Sequence, residues 1–226
     1  MIRQGSASLE ARVYNELREA LLCGQFKKGE SLTEHMLTEK LGVSRTPVRS
    51  ALQRLAEDGL VSLIPNRGAV VIGIAKEDIV DIYRIRMRLE GLASAMAAEK
   101  ITEEEKQALS ENVALFEFYI QRQDTEHTEE LDTSFHRMIY EASGSRTIER
   151  ILSDLHCNTK AYRSQSLCVP GRLTKTLEEH KEILNAILTG NAQKAECLTS
   201  AHIERAMENM LVVLAENGEV KQTEKV

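Results

Sequence analysis

The chain has 226 residues, 42% of them apolar, with a formal net charge of −6, which is enough for two cored domains. No apolar run reaches the eighteen or so residues that span a bilayer, and the N-terminus lacks the apolar stretch of a signal peptide, so a membrane protein is excluded and a cytoplasmic one expected. The charge is unevenly divided: residues 1–74 carry ten Lys/Arg and eight Asp/Glu, leaving nineteen and twenty-seven for the rest, so the first part is mildly basic and the acidity belongs to the second.

In chain order, the first patterned segment is Thr33 to Leu41, a short helical run with Met36, Leu37 and Leu41 apolar. Gly42 closes it, as the tight turn between two crossing helices requires. The next helix begins in SRTPVRSALQRLAEDGLV. On a helical wheel Val48, Ala51, Leu52 and Leu55 fall in one arc of about 100°, while Thr46, Arg49, Ser50 and Gln53 lie opposite and Arg45 flanks the first turn. Ser44 or Thr46 can cap this helix, and Pro47 sits in the first turn, where a missing N–H costs nothing. Two β-rich runs follow, Leu60 to Ile64 and Ala69 to Ile72, separated by Pro65, Asn66, Arg67 and Gly68, whose turn chemistry puts one cation at the tip. An arginine pair at i, i+4 is ordinarily a solvated face. Cap, proline, turn and wing together make this one a groove-reading face, and the segment reads as a winged helix-turn-helix.

The residues SRTPVRSALQRLAEDGLV with PNRGAVV resemble the DNA-binding domain of GntR-family bacterial regulators, over roughly Leu9 to Ile74. The resemblance implies a domain at 1–75 that binds double-stranded operator DNA. It further implies that Arg45, Thr46 and Arg49 contact DNA from the recognition helix and that Gly68, in the wing, approaches the minor groove. Ser50 stands where an acidic residue is more usual.

Beyond Ile74 the β-branched alternation gives way to helical periodicity with almost no Gly or Pro, so an all-helical domain is expected at 76–217, followed by a polar tail at 218–226. Helices are expected over Lys76 to Lys100, Thr102 to Gln123, Thr125 to Ser143, Arg146 to Ser166, Leu173 to Thr189 and Ala192 to Asn217. Their stripes are regular: Leu109, Val113, Phe116 and Ile120 in one, Leu131, Phe135, Met138 and Ala142 in another. Breaks fall at Ser143 to Ser145, at Val169 to Gly171, and at Gly190 with Asn191. Cys23, Cys157, Cys168 and Cys197 form no C-x-x-C pair and read as reduced packing residues.

Asp132, His136, His180 and His202 form the second constellation. Asp132 and His136 are i, i+4 and share a face with Ile139. His180 lies in the stripe of Leu177, Leu184, Ile187 and Leu188, and His202 is framed by Ala195, Leu198 and Ala206. One inward histidine is ordinarily a core residue satisfied by a hydrogen bond. Three with an aspartate, on core helices, suit a borderline divalent metal such as Zn²⁺, or Ni²⁺, with positions left open for an oxygen ligand. His35, His127 and His156 lack that context and read as surface or packing residues.

The D-x-x-x-H pair, the EEH of the next-to-last helix and the histidine of the last resemble the metal-binding pattern of the FCD-type ligand-binding domain in the FadR branch of the same family. The resemblance implies an antiparallel helical bundle in which the metal anchors a small carboxylate metabolite. It also implies an assisting basic residue on the first bundle helix, matched by Arg86 in RIRMRLEG. Arg163 and Asn158 are further effector candidates, and Arg86 can equally bridge to Glu90 at i, i+4. The expected protein is a mainly α, homodimeric repressor whose operator binding is controlled by a carboxylate effector. A metal sensor and a metal-dependent hydrolase are the alternatives; the hydrolase would need a general base and a cleft that the sequence does not offer, and no catalytic residue is assigned.

Overall fold

The computed structural model describes residues 8–216 apart from Cys23, Asn66, Ile74, Ala75 and Cys168, with the backbone alone at Lys76, Glu77, Ala161, Gln165 and Glu216. The chain divides into two compact units, residues 1–79 and 80–226. The polar tail lies outside the described residues.

In the first unit α1 (Leu9–Leu22) buries Val13, Leu17, Leu21 and Leu22 and packs on α3. Helix α2 (Glu34–Leu41) is capped by the Thr33 hydroxyl, which accepts from the Met36 amide, and ends at Gly42 with φ of 64°. Helix α3 (Arg45–Glu57) buries Pro47, Val48, Ala51, Leu52 and Leu55, the arc that the wheel selects. Ser44 holds the N-cap backbone conformation, but its hydroxyl makes no capping hydrogen bond. The wing strands are β2 (Val61–Ile64) and β3 (Gly68–Val71), antiparallel, with Leu63 opposite Ala69. A third strand, β1 (Ser31–Leu32), pairs with the other edge of β3 to give the order β1-β3-β2. At two residues it is too short to leave a period in the sequence.

The fold itself requires a glycine at position 68. It is buried, with φ of 108°, and a Cβ there would collide with the backbone carbonyl of Leu32. It sits at the seam between β3 and β1 and also lines the surface groove that Arg49 and Gln53 share. The exposed cation of the wing is Arg67.

The second unit is helical: α4 (Lys76–Lys100), α5 (Glu103–Gln121), α6 (Thr125–Ala142), α7 (Arg146–Asn158), α8 (Lys160–Leu167), α9 (Arg172–Leu188) and α10 (Ala192–Glu216). Thr102 and Glu105 form a capping box that starts α5, and Asp124 caps α6. Short connections make α5 with α6 and α9 with α10 antiparallel neighbours. Their facing stripes, Leu109, Val113, Phe116, Phe135, Ile139, Ile183 and Ile187 among them, build one core. Small residues seat α4 on α10, where the Thr199 hydroxyl donates to Ser94 at 2.8 Å and a Cβ on Gly91 would meet the Ser200 hydroxyl.

One helix is expected over Arg146 to Ser166; the structure has two. Thr159 ends α7 with φ of −100° and ψ of 0°, its hydroxyl donating to the His156 carbonyl and accepting from Arg86 at 2.8 Å. A threonine that satisfies a carbonyl of its own turn competes with the helical ladder, which breaks the helix at a buried residue without a Gly or Pro signal.

Replacing Gly68 with Ala is expected to destabilise the first unit by at least about 1–3 kcal/mol, since strain at positive φ is joined by a backbone collision. Gly42→Ala, also at positive φ but with open space around it, should cost only the strain. Denaturant titration of the two variants checks the order, and equal losses would remove the collision from the account.

Candidate metal centre and nucleic-acid interface

Three helices deliver the second unit's polar cluster. Asp132 and His136 come from α6, His180 from α9 and His202 from α10, all buried. One nitrogen from each of His136, His180 and His202 lies within 4.8 Å of the other two. Asp132 approaches with Oδ1 3.7 Å from His180 Nε2. The four residues singled out in the sequence therefore converge, with the histidines forming the tighter group.

A second layer of carboxylates sets the imidazoles. His136 Nδ1 is 2.9 Å from Glu90 Oε2, and His202 Nδ1 is 2.6 Å from Glu179 Oε2. Each carboxylate accepts a hydrogen bond from Nδ1, which turns Nε2 inward. The two Nε2 atoms face each other at 3.3 Å, a repulsive arrangement of acceptors unless a cation or proton lies between them. His180 stacks on Phe135 with ring centroids 3.9 Å apart, and neither of its nitrogens has a hydrogen-bond partner. Burial holds its pKa well below the ordinary imidazole value, with His202 and His136 adding to the effect, so it is neutral. The donor set thus suits a divalent metal: three imidazoles converging on one point, one carboxylate beside them, and carboxylates orienting two of the three rings.

The sequence offers Glu90 as the bridge partner of Arg86, which the structure bears out at 2.7 Å, and Glu179 as part of the EEH run, but neither is read there as a carboxylate that orients an imidazole. Glu90 is held at about 2: burial pushes its pKa up, and Arg86 and His136 outweigh that. Glu179 reaches about 2 by the same balance, with hydrogen bonds from His202 and Arg172 opposing burial.

His156 is a correction as well. It is buried and hydrogen-bonded at both ring nitrogens, accepting from Arg163 at Nε2 and meeting the Tyr140 hydroxyl at Nδ1, 3.2 Å away. Arginine donors face both ring nitrogens, since Arg86 Nη2 also lies 3.3 Å from Nδ1, and burial among these cations holds the imidazole's pKa well below its ordinary value. The signal was present, since His156 follows the buried Leu152 at i+4 on an amphipathic helix. Cys197 is exposed and Cys157 half-buried, so the packing expectation fails for the first; Cys23 and Cys168 lie outside the described residues. His127 is exposed, stacked on Tyr119 and bonded to Asp124, while His35 is exposed.

The candidate effector residues fare differently. Arg86 forms the bridge to Glu90 at 2.7 Å and, with Arg163 and Arg172, lines a cavity of about 20 Å³ beside His136 and His202. That is room for roughly one water. Arg163 Nε lies 3.1 Å from Asp132 Oδ2, an ion pair whose angle falls outside hydrogen-bond geometry, since Oδ2 is also without a hydrogen-bond partner. Asn158 is not among the residues lining the cavity; its neighbour Thr159 is the residue that meets Arg86.

In the first unit Arg45, Thr46 and Arg49 are exposed together on α3. Glu34 of α2 holds the Arg49 Nε at 2.6 Å, so this guanidinium is aimed rather than left to wander. An exposed cationic helix face beside a wing with Arg67 at its tip can reach phosphates and base edges.

Comparison with known proteins agrees with both units. Residues 9–71 match the model of the bacterial regulatory proteins, gntR family, and residues 81–205 match that of the FCD domain. The HTH-type transcriptional regulator YdhC of Bacillus subtilis is 31% identical over 91% of this chain and 92% of its own. The gluconate operon transcriptional repressor of the same organism is 29% identical over 81% of this chain and 77% of its own. Among solved structures, E. coli McbR/YncC superposes with a TM-score of 0.73 at 25% identity, covering 94% of this chain and all of that one. These relatives are regulators and not enzymes. Among the described residues no helix is long and apolar enough to cross a membrane.

The buried groups give a signed pH dependence. His156 and His180 titrate well below 6.5 in the fold because burial penalises their charged forms. The unfolded chain then binds more protons, and stability falls as pH drops below about 6.5. Glu90 and Glu179, lowered from 4.5 to about 2, add a second loss in the same direction between those values. In chelator-treated protein the melting temperature of the second unit should be level above pH 7 and decline in two stages below it. A level profile from pH 7 to pH 5 would contradict the assignment of neutral buried imidazoles.

Proposed function

The chain belongs to the gntR family of bacterial regulatory proteins and carries an FCD domain behind its DNA-binding module, and from that premise we propose that a divalent metal on His136, His180, His202 and Asp132 anchors a small carboxylate metabolite that controls operator binding. His180 is the observation that carries the reading: a fully buried imidazole without a partner at either nitrogen costs roughly 1–3 kcal/mol, and a coordinated Zn²⁺ or Ni²⁺ removes that cost. Such a cation supplies a Lewis-acid position for an oxygen ligand. Glu90 and Glu179 orient two of the imidazoles toward it, and Arg86 and Arg163 give the adjacent cavity its positive wall.

An effector shifts an equilibrium only through contacts that differ between two states. Arg163 provides one. It is committed to Asp132 and His156, and a carboxylate entering so small a cavity must compete for it. The response is transmitted in a homodimer that sets two recognition helices on a palindromic operator, with Arg45, Thr46 and Arg49 toward the major groove. Ligand-induced release makes the protein a repressor, and the relative that represses a gluconate operon supports a small acid as the signal. The cavity's size favours one rival, in which the metal itself is the signal.

Elemental analysis of protein purified without chelator or histidine tag should find about one metal per chain, lost in His180→Ala. Absence of metal after incubation with Zn²⁺ and with Ni²⁺ would reduce the cluster to core packing. Release from operator DNA on adding metal alone would identify a sensor. On the DNA side, Arg49→Ala should weaken operator binding by about 10- to 100-fold, and an equal loss on operator and non-specific DNA would show that it contacts phosphate only.

A further inference from the structure

Two features of α9 are left unused by the metal-and-carboxylate reading. Thr176 is buried and lines the cavity, and its hydroxyl has no hydrogen-bond partner. A buried helical threonine ordinarily returns its hydroxyl to the carbonyl one turn earlier; this one does not. Arg172, one turn before it, lines the same cavity and spends two of its five N–H groups on Glu179, at 3.0 and 3.1 Å. Glu179 is oversupplied, because Arg205 lies 2.7 Å from it and His202 holds its other oxygen. Arg172 can therefore turn toward a ligand without stranding a buried carboxylate.

The charges converge on the same point. Among the described residues, the buried charged side chains other than histidine are Arg86, Arg163 and Arg172 against Glu90, Asp132 and Glu179. Four of the six line the cavity, and Glu90 and Glu179 bind the histidines beside it. The three cations and three anions cancel, so a divalent metal leaves two uncompensated positive charges in a buried space, which is costly. A monocarboxylate removes one of them. A dianion removes both.

We propose that Arg172 and Thr176 recognise a second anionic terminus of the effector, so that the site selects dicarboxylates over monocarboxylates of the same length. The proposal rests on the metal-and-carboxylate reading and narrows it. The first carboxylate belongs to the metal side with Arg86 and Arg163, and the second to the α9 side, where the Thr176 hydroxyl donates to it and Arg172 neutralises it.

Calorimetric titration of the metal-loaded, full-length protein with two matched pairs tests this: malate against 2-hydroxybutyrate, and glucarate against gluconate. Within each pair the carbon count is equal and the second carboxylate is the main difference. In whichever pair binds, the diacid should bind at least about tenfold tighter, the worth of one charge-assisted hydrogen bond. Thr176→Val should reduce that advantage by several-fold while leaving the melting temperature of the ligand-free protein unchanged or higher, because the hydroxyl it removes had no partner. Equal affinities, or an advantage that Thr176→Val leaves intact, would overturn the proposal and leave the metal-and-carboxylate reading standing. Failure of all four acids to bind protein shown to contain metal would overturn both.

Discussion

The Glu90 carboxylate, buried on the inner face of α4, is the interaction around which the second unit is organised. Burying an ion costs several kcal/mol unless every lone pair is met. Glu90 meets the cost with Arg86 one turn earlier on its own helix and with His136 from α6. Those two partners in turn specify what surrounds them. Arg86 draws in Thr159 and ends α7 there, while His136 has its tautomer fixed and its other nitrogen turned toward His202. From Arg163 through His156 to Tyr140 a further hydrogen-bonded path leads back to the same charge cluster. One buried carboxylate thus links the candidate metal ligands, the candidate effector arginines and a helix boundary.

How much of this was legible in the sequence follows from the range of each interaction. The recognition helix, the capped starts of α2 and α5, and the apolar stripes of α5 and α6 are decided within a turn or two of chain, and their positions are readable. The D-x-x-x-H pair is legible for the same reason, since i, i+4 spacing puts both groups on one face. The imidazole-orienting roles of Glu90 and Glu179 were hidden because they depend on partners 46 and 23 residues away. The split of α7 from α8 was hidden because Thr159 breaks a helix only where Arg86 reaches it from 73 residues away. Gly68 was visible as a wing residue, but the reason for a glycine there is the Leu32 carbonyl of a strand too short to announce itself.

The two units solve different problems. The first is held by an apolar core and by close backbone approaches, and it keeps its cations outside, where Glu34 steadies Arg49 at the surface. The second places six charges inside. Replacing a buried ionic network by packed apolar side chains is often neutral or stabilising, so stability does not account for the network. A bundle with the core of α5, α6, α9 and α10 has ample apolar surface to fold on without it.

The account that remains is preorganisation. Two carboxylates hold the Nδ1 atoms of His136 and His202 on the outside of the cluster, so the inner nitrogens confront each other and neither nitrogen of His180 is hydrogen-bonded. Each of these is a local cost in the ligand-free fold. A group that binds the folded chain and relieves them gains that energy as affinity, because what destabilises the empty site is absent from the filled one. The same logic covers Thr176, whose hydroxyl has no protein partner and lines the cavity. These costs are concentrated in one place, on helices α6, α9 and α10, which is where the proposed metal and carboxylate would relieve them.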